Sequence, residues 1–331
     1  MKFLNLLKRF NEVATIHVGE CKRFKKFVYF LDYLRAYILH GASFNDYFGY
    51  QFYRLNNRGR KQYITLKRTR KLQKLVNNPA ALNNFRNKVI FNTIFSSYLG
   101  RKWLDVSKSS FSEFSNFIDS LNSDVFIKDV NGLCGIGVER LSVRKIEKKS
   151  LYHKLTTSPT AQFIIEEPIL QKGILSDLHP WSVNTIRITT LMDSKGNIHI
   201  MGATLRVGRR KDHRDNLHSG GIAAHIDIKT GIIFLPAFDK FNKLYIIHPD
   251  TNKQLIGLKI PYWEECKNFI IDIAKKSPEV RYVGWDVVIS EEGKFLLIEG
   301  NDNGDHDVQQ LHYQGLWPLY KEILTIQNEK R

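Results

Sequence analysis

The hydrophobic period changes along this chain, and that change limits the folds the chain can adopt. Up to about residue 85, apolar residues recur at the spacing of amphipathic helices, without strand alternation. From about residue 125, short apolar runs with two-residue alternation are bounded by Gly, Asn and Asp turns, which is typical of strands. We therefore expect a helical N-terminal region followed by lobes that mix helices and strands.

The elements predicted from this pattern are of both kinds. The predicted helices cover residues 22–40, 63–76, 87–98, 110–121 and 263–276. The predicted strands cover residues 125–130, 162–166, 185–192, 198–207, 221–228, 283–289 and 294–299, with hairpin turns at 193–197 and 291–293. Because strand pairs are mixed with helices and do not alternate regularly with them, the pattern indicates an α+β fold and not a doubly wound sheet.

Length and composition exclude several classes of protein. The chain has 331 residues, 43% hydrophobic and 25% charged, which excludes a disordered chain or a coiled coil and allows two domains or one multi-lobed enzyme fold. No apolar stretch approaches the roughly 18 residues of a membrane-spanning helix, and Lys8, Arg9 and Glu12 interrupt the first apolar run. The three cysteines are widely spaced and lack a CxxC pair, so we expect a cytoplasmic protein without disulfides.

The positive charge is concentrated near the N-terminus. Of the net charge of +17, residues 1–75 supply +13, with 17 Lys/Arg against four Asp/Glu. Residues 24–37 (FKKFVYFLDYLRAY) place apolar and basic residues at helical spacing, as membrane-surface helices do. A merely solvated basic face and peripheral contact with an anionic membrane or an acidic glycan both remain open, and no nucleic acid is expected as a partner.

Three acidic and amide side chains near the C-terminus predict a cation site. Asp286 lies on one strand of a predicted hairpin, and Glu299 and Asn301 lie two residues apart on its partner. Period-two geometry puts Glu299 and Asn301 on one face, and antiparallel pairing can bring Asp286 beside them. These hard oxygen ligands suit Mg²⁺. The alternative is an ordinary hairpin with solvent-facing acids.

A lysine before a glycine-rich loop predicts a phosphate contact. Lys128 lies on the 125–130 strand, and Gly132, Gly135 and Gly137 follow in the loop. Glycines let backbone N–H groups approach an anion. The loop matches neither the GxxxxGK[ST] nor the GxGxxG pattern. A purely structural turn is the alternative.

Two further segments have polar groups at strand ends. Residues 163–169 (FIIEEPI) run from a strand into an acidic pair and a proline, and such an exit can offer backbone groups to an adenine or form a solvated edge. Arg187 and Arg206 lie on strands, where they could neutralise phosphate or an oxyanion or lie at the surface. A polar glycine loop, 216–221 (NLHSGG), follows them.

These pieces, in this order, resemble the ATP-grasp superfamily, and in detail its sugar-transfer-associated family from bacterial surface-polysaccharide loci. The resemblance covers roughly residues 45–325. It includes residues 50–63 (YQFYRLNNRGRKQY), 182–187 (SVNTIR), 205–208 (LRVG), 215–216 (DN), 220–222 (GGI) and 298–304 (IEGNDNG).

The resemblance implies roles for single residues in binding ATP and Mg²⁺. It implies that Lys88 and Lys128 contact phosphates, although Asn87 stands where the family usually has Asp. It implies that the loop with Gly132, Gly135 and Gly137 covers the phosphates. The adenine hinge would consist of Glu166, Glu167 and Ile169, and the Mg²⁺ ligands would be Asp286, Glu299 and Asn301. For the ribose, Asp177 and Gln171 are only candidates.

For the reaction, the resemblance implies carboxylate activation by ATP followed by attack of an amine. Arg206 resembles the arginine near the γ-phosphate and acyl intermediate, and we count Arg187 with it among the catalytic candidates. Asn216, His218, Gly220 and Gly221 resemble the NLHxGG loop of the glutamate-adding ligases. There His218 could accept or orient the proton of the amine, and simple hydrogen bonding within the loop is the alternative.

The resemblance implies two ATP-grasp lobes, residues 86–170 and 171–331, behind a basic, mostly helical region, residues 1–85. The implied activity is an ATP- and Mg-dependent carboxylate–amine ligase that modifies a capsule, O-antigen or other surface-polysaccharide precursor, with a uronic acid or an amino acid as acyl donor. Its partners would be small, sugar-linked carboxylates and amines, in the cytoplasm or at the inner face of the membrane. A phosphotransferase and a non-catalytic ATP-binding factor of glycan assembly are the alternatives.

Overall fold

The computed structural model of the protein describes residues 2–20, 22–122, 124–132, 137–160, 162–304 and 306–328. Gly135 lies outside the described residues. The helices in order are α1 (Lys2–Val18), α2 (Arg23–His40), α3 (Phe44–Gly49), α4 (Asn57–Arg60), α5 (Leu66–Val76), α6 (Asn83–Arg86), α7 (Lys88–Ile94), α8 (Ser96–Leu99), α9 (Phe111–Asp119), α10 (Lys148–Thr156), α11 (Ile174–Leu178), α12 (Trp263–Lys275) and α13 (Trp317–Asn328).

The strands form two antiparallel sheets. They are β1 (Trp103–Asp105), β2 (Asp124–Asp129), β3 (Val138–Ser142), β4 (Phe163–Glu166), β5 (Ile186–Met192), β6 (Ile198–Val207), β7 (Ile222–His225), β8 (Ala237–Phe238), β9 (Leu244–Tyr245), β10 (Tyr282–Ile289) and β11 (Phe295–Asn301). The small sheet has the order β1-β4-β2-β3, and the large sheet has the order β11-β10-β5-β6-β7-β8-β9. The predicted α+β class is confirmed.

Each strand predicted from the sequence is present, and the helix predicted over residues 87–98 is divided. Phe95, with φ −102° and ψ 20°, leaves the helical conformation and separates α7 from α8, and Gly100 then ends α8 in the left-handed region at φ 58°. The predicted start of α9 is confirmed, because Ser110 and Glu113 form a capping box.

The large sheet has one apolar face and one polar face. On the apolar face, side chains such as Trp285 and Val287 of β10 pack in one core with α12, whose Trp263, Cys266 and Ile270 are buried as the helical stripe predicted. The opposite face of the same strands carries charged residues, described below. This division follows from the two-residue period of the strands.

The small sheet encloses a second core and presents a polar face of its own. Val125 and Ile127 of β2 and Ile165 of β4 pack with helices α9 and α10. The alternate residues of β2, Phe126 and Lys128, point to the other side. That side adjoins the segment that leads into the large sheet.

The N-terminal helices are joined to the C-terminal part of the chain by buried polar contacts. The carboxylate of Asp46 accepts hydrogen bonds from the backbone N–H groups of Ser43 and Leu66 and lies 3.4 Å from Nε2 of His306. The side chain of Gln310 accepts a hydrogen bond from the N–H of Ile64 at 2.8 Å. Because these groups are buried, losing one partner would leave the other unsatisfied.

The basic, mostly helical character expected for residues 1–85 is present. The division at residues 85 and 170 stays a prediction. Helix α5 packs in one core with α13 and with Tyr282 of β10. Within the described part of the chain, no helix is both long enough and apolar enough to cross a bilayer.

The attachment of α5 to the large sheet can be tested at Asn77, a buried residue just after the helix. Its side chain accepts a hydrogen bond from the N–H of Tyr282 at 2.8 Å and donates one to the carbonyl of the same residue at 3.1 Å. We expect Asn77→Ala to lower the free energy of unfolding by about 2–4 kcal/mol, because both backbone groups lose their partner. Urea unfolding measures this free energy. The matched control, Asn83→Ala at an exposed position, should change the free energy of unfolding by no more than about 0.5 kcal/mol. Equal effects would contradict the attachment.

Candidate active site

A buried carboxylate, Glu166 at the end of β4, lies at the centre of a cationic cluster. One oxygen of Glu166 is 2.5 Å from Nζ of Lys128 on β2 and 3.1 Å from Nε of Arg101. The other accepts a hydrogen bond from Asn92 of α7 at 3.0 Å. Burial alone would raise the pKa of Glu166, but Arg101 and Lys128 outweigh it and hold the pKa far below its usual range.

Arg101 also connects this cluster to the large sheet. Its guanidinium donates hydrogen bonds to the carbonyl groups of Leu297 at 2.7 Å and Ile298 at 3.2 Å, both on β11. One planar side chain therefore holds the ends of β4 and β11 together through a fork of donors.

Lys88 at the start of α7 lies in the same cluster. Its Nζ donates to the carbonyl of Gly132 at 2.5 Å, and the side chain of Asn87 caps the helix by accepting from the N–H groups of Val89 and Ile90. The pKa of Lys88 is lowered, chiefly by burial and further by Lys128, while Glu299 opposes the shift. The two predicted phosphate lysines are thus brought together, beside Glu299.

Charged residues of the large sheet form a row across its polar face. Glu299 of β11 lies opposite Asp286 of β10, which lies opposite Arg187 of β5. Nε and Nη2 of Arg187 bind the two carboxylate oxygens of Asp286 at 2.5 and 2.7 Å, and Nη1 of Arg206 lies 3.2 Å from the same carboxylate. Burial raises the pKa of Asp286, but the two arginines prevail and lower it to about 2.

The three predicted metal ligands differ in their surroundings. Asp286 is buried and engaged by both arginines. Glu299 is half exposed, and its Oε1 accepts a hydrogen bond from Nδ2 of Asn301 at 3.1 Å. The predicted pairing of the hairpin is confirmed, but only Glu299 and Asn301 present their side chains to the solvent side of the cluster.

The predicted adenine hinge borders a small cleft. The cleft has a volume of about 160 Å³ and lies between the small sheet and the segment 168–183, with Phe126, Ile169 and Trp181 among its walls. The N–H of Glu167 donates to the carbonyl of Lys102 at 2.9 Å, so this amide already has a partner. Ile169 lines the cleft directly.

The two ribose candidates lie near this cleft in different settings. Gln171 lines it, and its side chain is fixed by two hydrogen bonds to the backbone of Asn184. Asp177 lies on the short helix α11.

The predicted polar loop after β6 is held by its own turn. Asn216 caps a single helical turn by accepting from the N–H of Ser219, and His218 is exposed on that turn. Gly221 permits a close backbone approach, because a Cβ there would lie 2.2 Å from the carbonyl oxygen of Asp215. Gly220 adopts a φ of 101°, which also requires glycine.

Asp215 connects this loop to the row of charges. Its Oδ2 accepts hydrogen bonds from the hydroxyl of Thr185 at 2.5 Å and from the N–H of the same residue at 2.9 Å. Burial raises the pKa of Asp215 to about 6; Asp286 adds to this rise, while Arg206 and the Thr185 hydrogen bonds oppose it. A carboxylate in this state can hold or release a proton near neutral pH.

Sequence reasoning gave no role to three residues of this site, Asn92, Arg101 and Asp215. Asn92 and Arg101 meet Glu166, which lies 74 and 65 residues away along the chain. No local spacing indicates such contacts. For Asp215, the only indication in the sequence was its place in the pair 215–216 before the glycine loop.

A family model described as sugar-transfer associated ATP-grasp matches residues 67–324. The chain belongs to this family. The α+β ATP-grasp fold expected from the sequence is therefore confirmed, and the site described above lies within the matched residues. No curated protein sequence matches the chain.

Solved structures that are similar to this chain include ATP-grasp ligases. The ligase PsnB, complexed with a phosphomimetic variant of its minimal precursor, Mg and ADP, is 13% identical at a TM-score of 0.47, and the match covers 79% of this chain and 68% of PsnB. D-alanine-D-alanine ligase from Coxiella burnetii is 11% identical at a TM-score of 0.39, covering 70% of this chain and 54% of the ligase. N5-carboxyaminoimidazole ribonucleotide synthetase from Thermotoga maritima is 11% identical at a TM-score of 0.40, and the match covers 71% of this chain and 48% of the synthetase. The chain thus spans about half the length of the last two enzymes.

The side chains of this ATP-grasp protein fit a nucleotide with Mg²⁺. Glu299 and Asn301 offer oxygen ligands of the kind that Mg²⁺ prefers. Asp286 already accepts three hydrogen bonds from Arg187 and Arg206, so it would share its carboxylate between the arginines and a metal ion. Lys88, Lys128, Arg187 and Arg206 supply the positive charge that a polyphosphate needs.

The different surroundings of Asp286 and Glu299 predict different effects of removing their charges. We expect Asp286→Asn to lower the free energy of unfolding by about 3–5 kcal/mol, because two buried arginines lose their counter-charge. Glu299→Gln should leave it within about 0.5 kcal/mol of the wild type, because Glu299 is half exposed. Thermal unfolding without and with MgADP measures both effects. MgADP should raise the Tm of the wild type but not of Glu299→Gln; equal stabilisation of both would contradict a role of Glu299 in binding Mg²⁺.

The raised pKa of Asp215 predicts a pH-dependent stability. As pH rises from about 4 to about 7, Asp215 loses its proton in the unfolded chain before it does so in the folded protein, so its stabilising contribution is lost as pH passes about 6. Asp215→Asn cannot titrate, so its Tm minus that of the wild type should increase over this range. Asp272→Asn, on the exposed side of α12, controls for the loss of one negative charge. A constant Tm difference for Asp215→Asn would show that its carboxylate is not perturbed.

Proposed function

We propose that the protein is an ATP- and Mg-dependent ligase that joins a carboxylate to an amine while modifying a surface-polysaccharide precursor. One cluster of side chains carries this proposal, in a chain that belongs to the sugar-transfer associated ATP-grasp family. It combines four cations with three oxygen-bearing side chains: Lys88, Lys128, Arg187 and Arg206 with Asp286, Glu299 and Asn301. The cluster has the charge pattern for neutralising a transferring phosphoryl group.

In this proposal, the protein binds ATP between its two sheets. The cleft beside Ile169 would take the adenine, and Lys88, which contacts Gly132, would bind the phosphates together with Lys128. Glu299 and Asn301 would hold Mg²⁺, with Asp286 as a third ligand. Bound Mg²⁺ would neutralise negative charge on the phosphate oxygens.

The bond changes follow the chemistry of carboxylate activation. An oxygen of the substrate carboxylate forms a bond to the γ-phosphorus of ATP, and the bond to the ADP oxygen breaks. The amine nitrogen then forms a bond to the acyl carbon, phosphate leaves with the bridging oxygen, and the amine loses a proton. Arg187 and Arg206 would stabilise the negative charge on the transferring group.

In this proposal Asp215 accepts the proton of the amine, and the turn beside it orients the amine. Asp215 has a pKa of about 6 and lies in the electrostatic field of Arg206, which favours it for this role. His218 is exposed on the adjacent turn, and we propose that it and Asn216 orient the incoming amine.

We infer a uronic acid or an amino acid as the acyl donor and an amino acid, amino alcohol or amino sugar as the amine. The family's association with sugar transfer supports a sugar-linked substrate. The cytoplasm, where ATP is available, is the proposed place of action.

The test is ADP release with crossed panels of carboxylates and amines, read together with product mass. We expect turnover only when both substrates are present, and a product lighter by one water than their sum. Glu299→Gln and Asn301→Ala should lower turnover by at least about 100-fold, the scale of losing one preorganised electrostatic contact.

Exposed Glu292→Gln, in the turn after β10, is the matched control and should retain activity. Phosphate transfer to a hydroxyl acceptor without an amine would instead support a phosphotransferase. ATP binding without turnover in any combination would support a non-catalytic factor.

A further inference from the structure

Helix α2 carries apolar residues on two opposite faces. One face is buried, with Phe30, Tyr33 and Ala36 packed among the aromatic residues of the N-terminal helices. The other face is solvent-exposed, with Phe24 at 78%, Phe27 at 58% and Ile38 at 72% of their full accessible area. A helix that only packed against the protein would need the first face alone.

Five exposed apolar residues lie along one side of α2, with the exposed Arg35 between the last two of them. Phe24, Phe27, Val28, Leu31 and Ile38 are separated by three, four, seven and fourteen residues from the first, which places them on one side of a helix. At 1.5 Å per residue the stripe is about 21 Å long. Scattered exposed apolar residues are normal, but several on one side of a single helix mark an interaction surface.

Positive charge accompanies this stripe. Lys22, Lys25 and Arg35 are exposed at and beside it. The helix has a single acidic residue, Asp32, whose carboxylate is 2.7 Å from Nη2 of Arg60 and also accepts from the hydroxyl of Tyr47. The negative charge of Asp32 is therefore compensated within the protein, while the lysines face solvent.

Charge and apolarity together decide between the classes of partner. A second copy of this chain would bring two positively charged faces together, since residues 1–40 carry eight Lys/Arg against three Asp/Glu. An acidic glycan would satisfy the lysines but leave the phenylalanines in water. An anionic lipid surface offers both negative headgroups and an apolar interior to the same helix.

We propose that α2 docks the protein onto an anionic phospholipid bilayer, lying in the plane of the interface. Phe24, Phe27, Leu31 and Ile38 enter the boundary between headgroups and acyl chains, and Lys22, Lys25 and Arg35 contact the headgroup phosphates. The docking does not depend on the proposed ligase activity, because none of the residues it uses belongs to the candidate active site.

The test is co-sedimentation of the full chain with vesicles of phosphatidylcholine alone or mixed with phosphatidylglycerol. We expect binding to the mixed vesicles only, and weaker binding as salt rises, because the Debye length falls from about 10 Å at 0.1 M to about 3 Å at 1 M. Replacing Phe24, Phe27 and Leu31 together by Ser should weaken binding at least tenfold, roughly the affinity carried by burying one large apolar side chain. Reversing Lys22, Lys25 and Arg35 to Glu should abolish the preference for anionic vesicles.

The matched control replaces three equally exposed apolar residues elsewhere, Leu75, Phe241 and Ile246, by Ser and should bind like the wild type. All variants alter exposed or half-buried side chains, so their Tm should stay near that of the wild type, which thermal unfolding verifies. No binding of the wild type to anionic vesicles, or equal loss in the control, would overturn the proposal. A wild-type dimer in light scattering that the Phe24/Phe27/Leu31 variant cannot form would assign the stripe to a second copy instead.

Discussion

The buried carboxylate of Glu166 is the contact on which the joining of the two sheets depends. A carboxylate removed from water is costly unless cations and hydrogen-bond donors surround it. Here the cations Lys128 and Arg101 and the amide of Asn92 meet at its two oxygens. These partners come from β2, from the segment before β1 and from α7. Arg101 extends the contact to the carbonyl groups of β11. The small sheet, the large sheet and helix α7 are therefore fixed relative to one another at one point, beside the candidate active site.

The charges of the large sheet follow the same physical rule. Asp286 is buried against Arg187 and Arg206, so the two arginines are held at fixed positions on the polar face. Glu299 lies near one cation of each of two pairs. Its carboxylate interacts with Lys88, which lies beside Lys128, and is 4.0 Å from Nη2 of Arg187, which shares Asp286 with Arg206. The two cations of each pair repel each other, and a carboxylate offsets this repulsion: Glu166 for the lysines and Asp286 for the arginines. Each carboxylate would in turn be costly to bury without its cations. A phosphate ligand with a divalent cation brings charges of both signs, which suits such a mixed cluster.

The N-terminal region is attached by a different kind of contact. Uncharged or locally compensated polar groups, such as Gln310 with Ile64 and Asn77 with Tyr282, join it to the rest of the chain. Its aromatic core is separate from the cores of the two sheets. Helix α2 packs one face in that core and keeps its second apolar face in solvent. The region thus combines firm attachment to the large sheet with an exposed, basic and apolar surface.

Sequence alone determined the features that depend on neighbouring residues. The two-residue period placed Glu299 and Asn301 on one face, and the short turn after β10 set the pairing that brings Asp286 opposite Glu299. The strands β1, β8 and β9 escaped prediction, because runs of two or three residues carry too little alternation to distinguish them from loops. The strand β3 escaped because Glu139 and Arg140 stand together in it and break the apolar pattern. The partner of each buried charge follows from the three-dimensional packing: Glu166 meets Arg101, and Asp215 meets Thr185, across 65 and 30 residues. Such partners are chosen by the packing of whole sheets, because a buried charge must find its counter-charge wherever the fold places one, and no local spacing encodes that place.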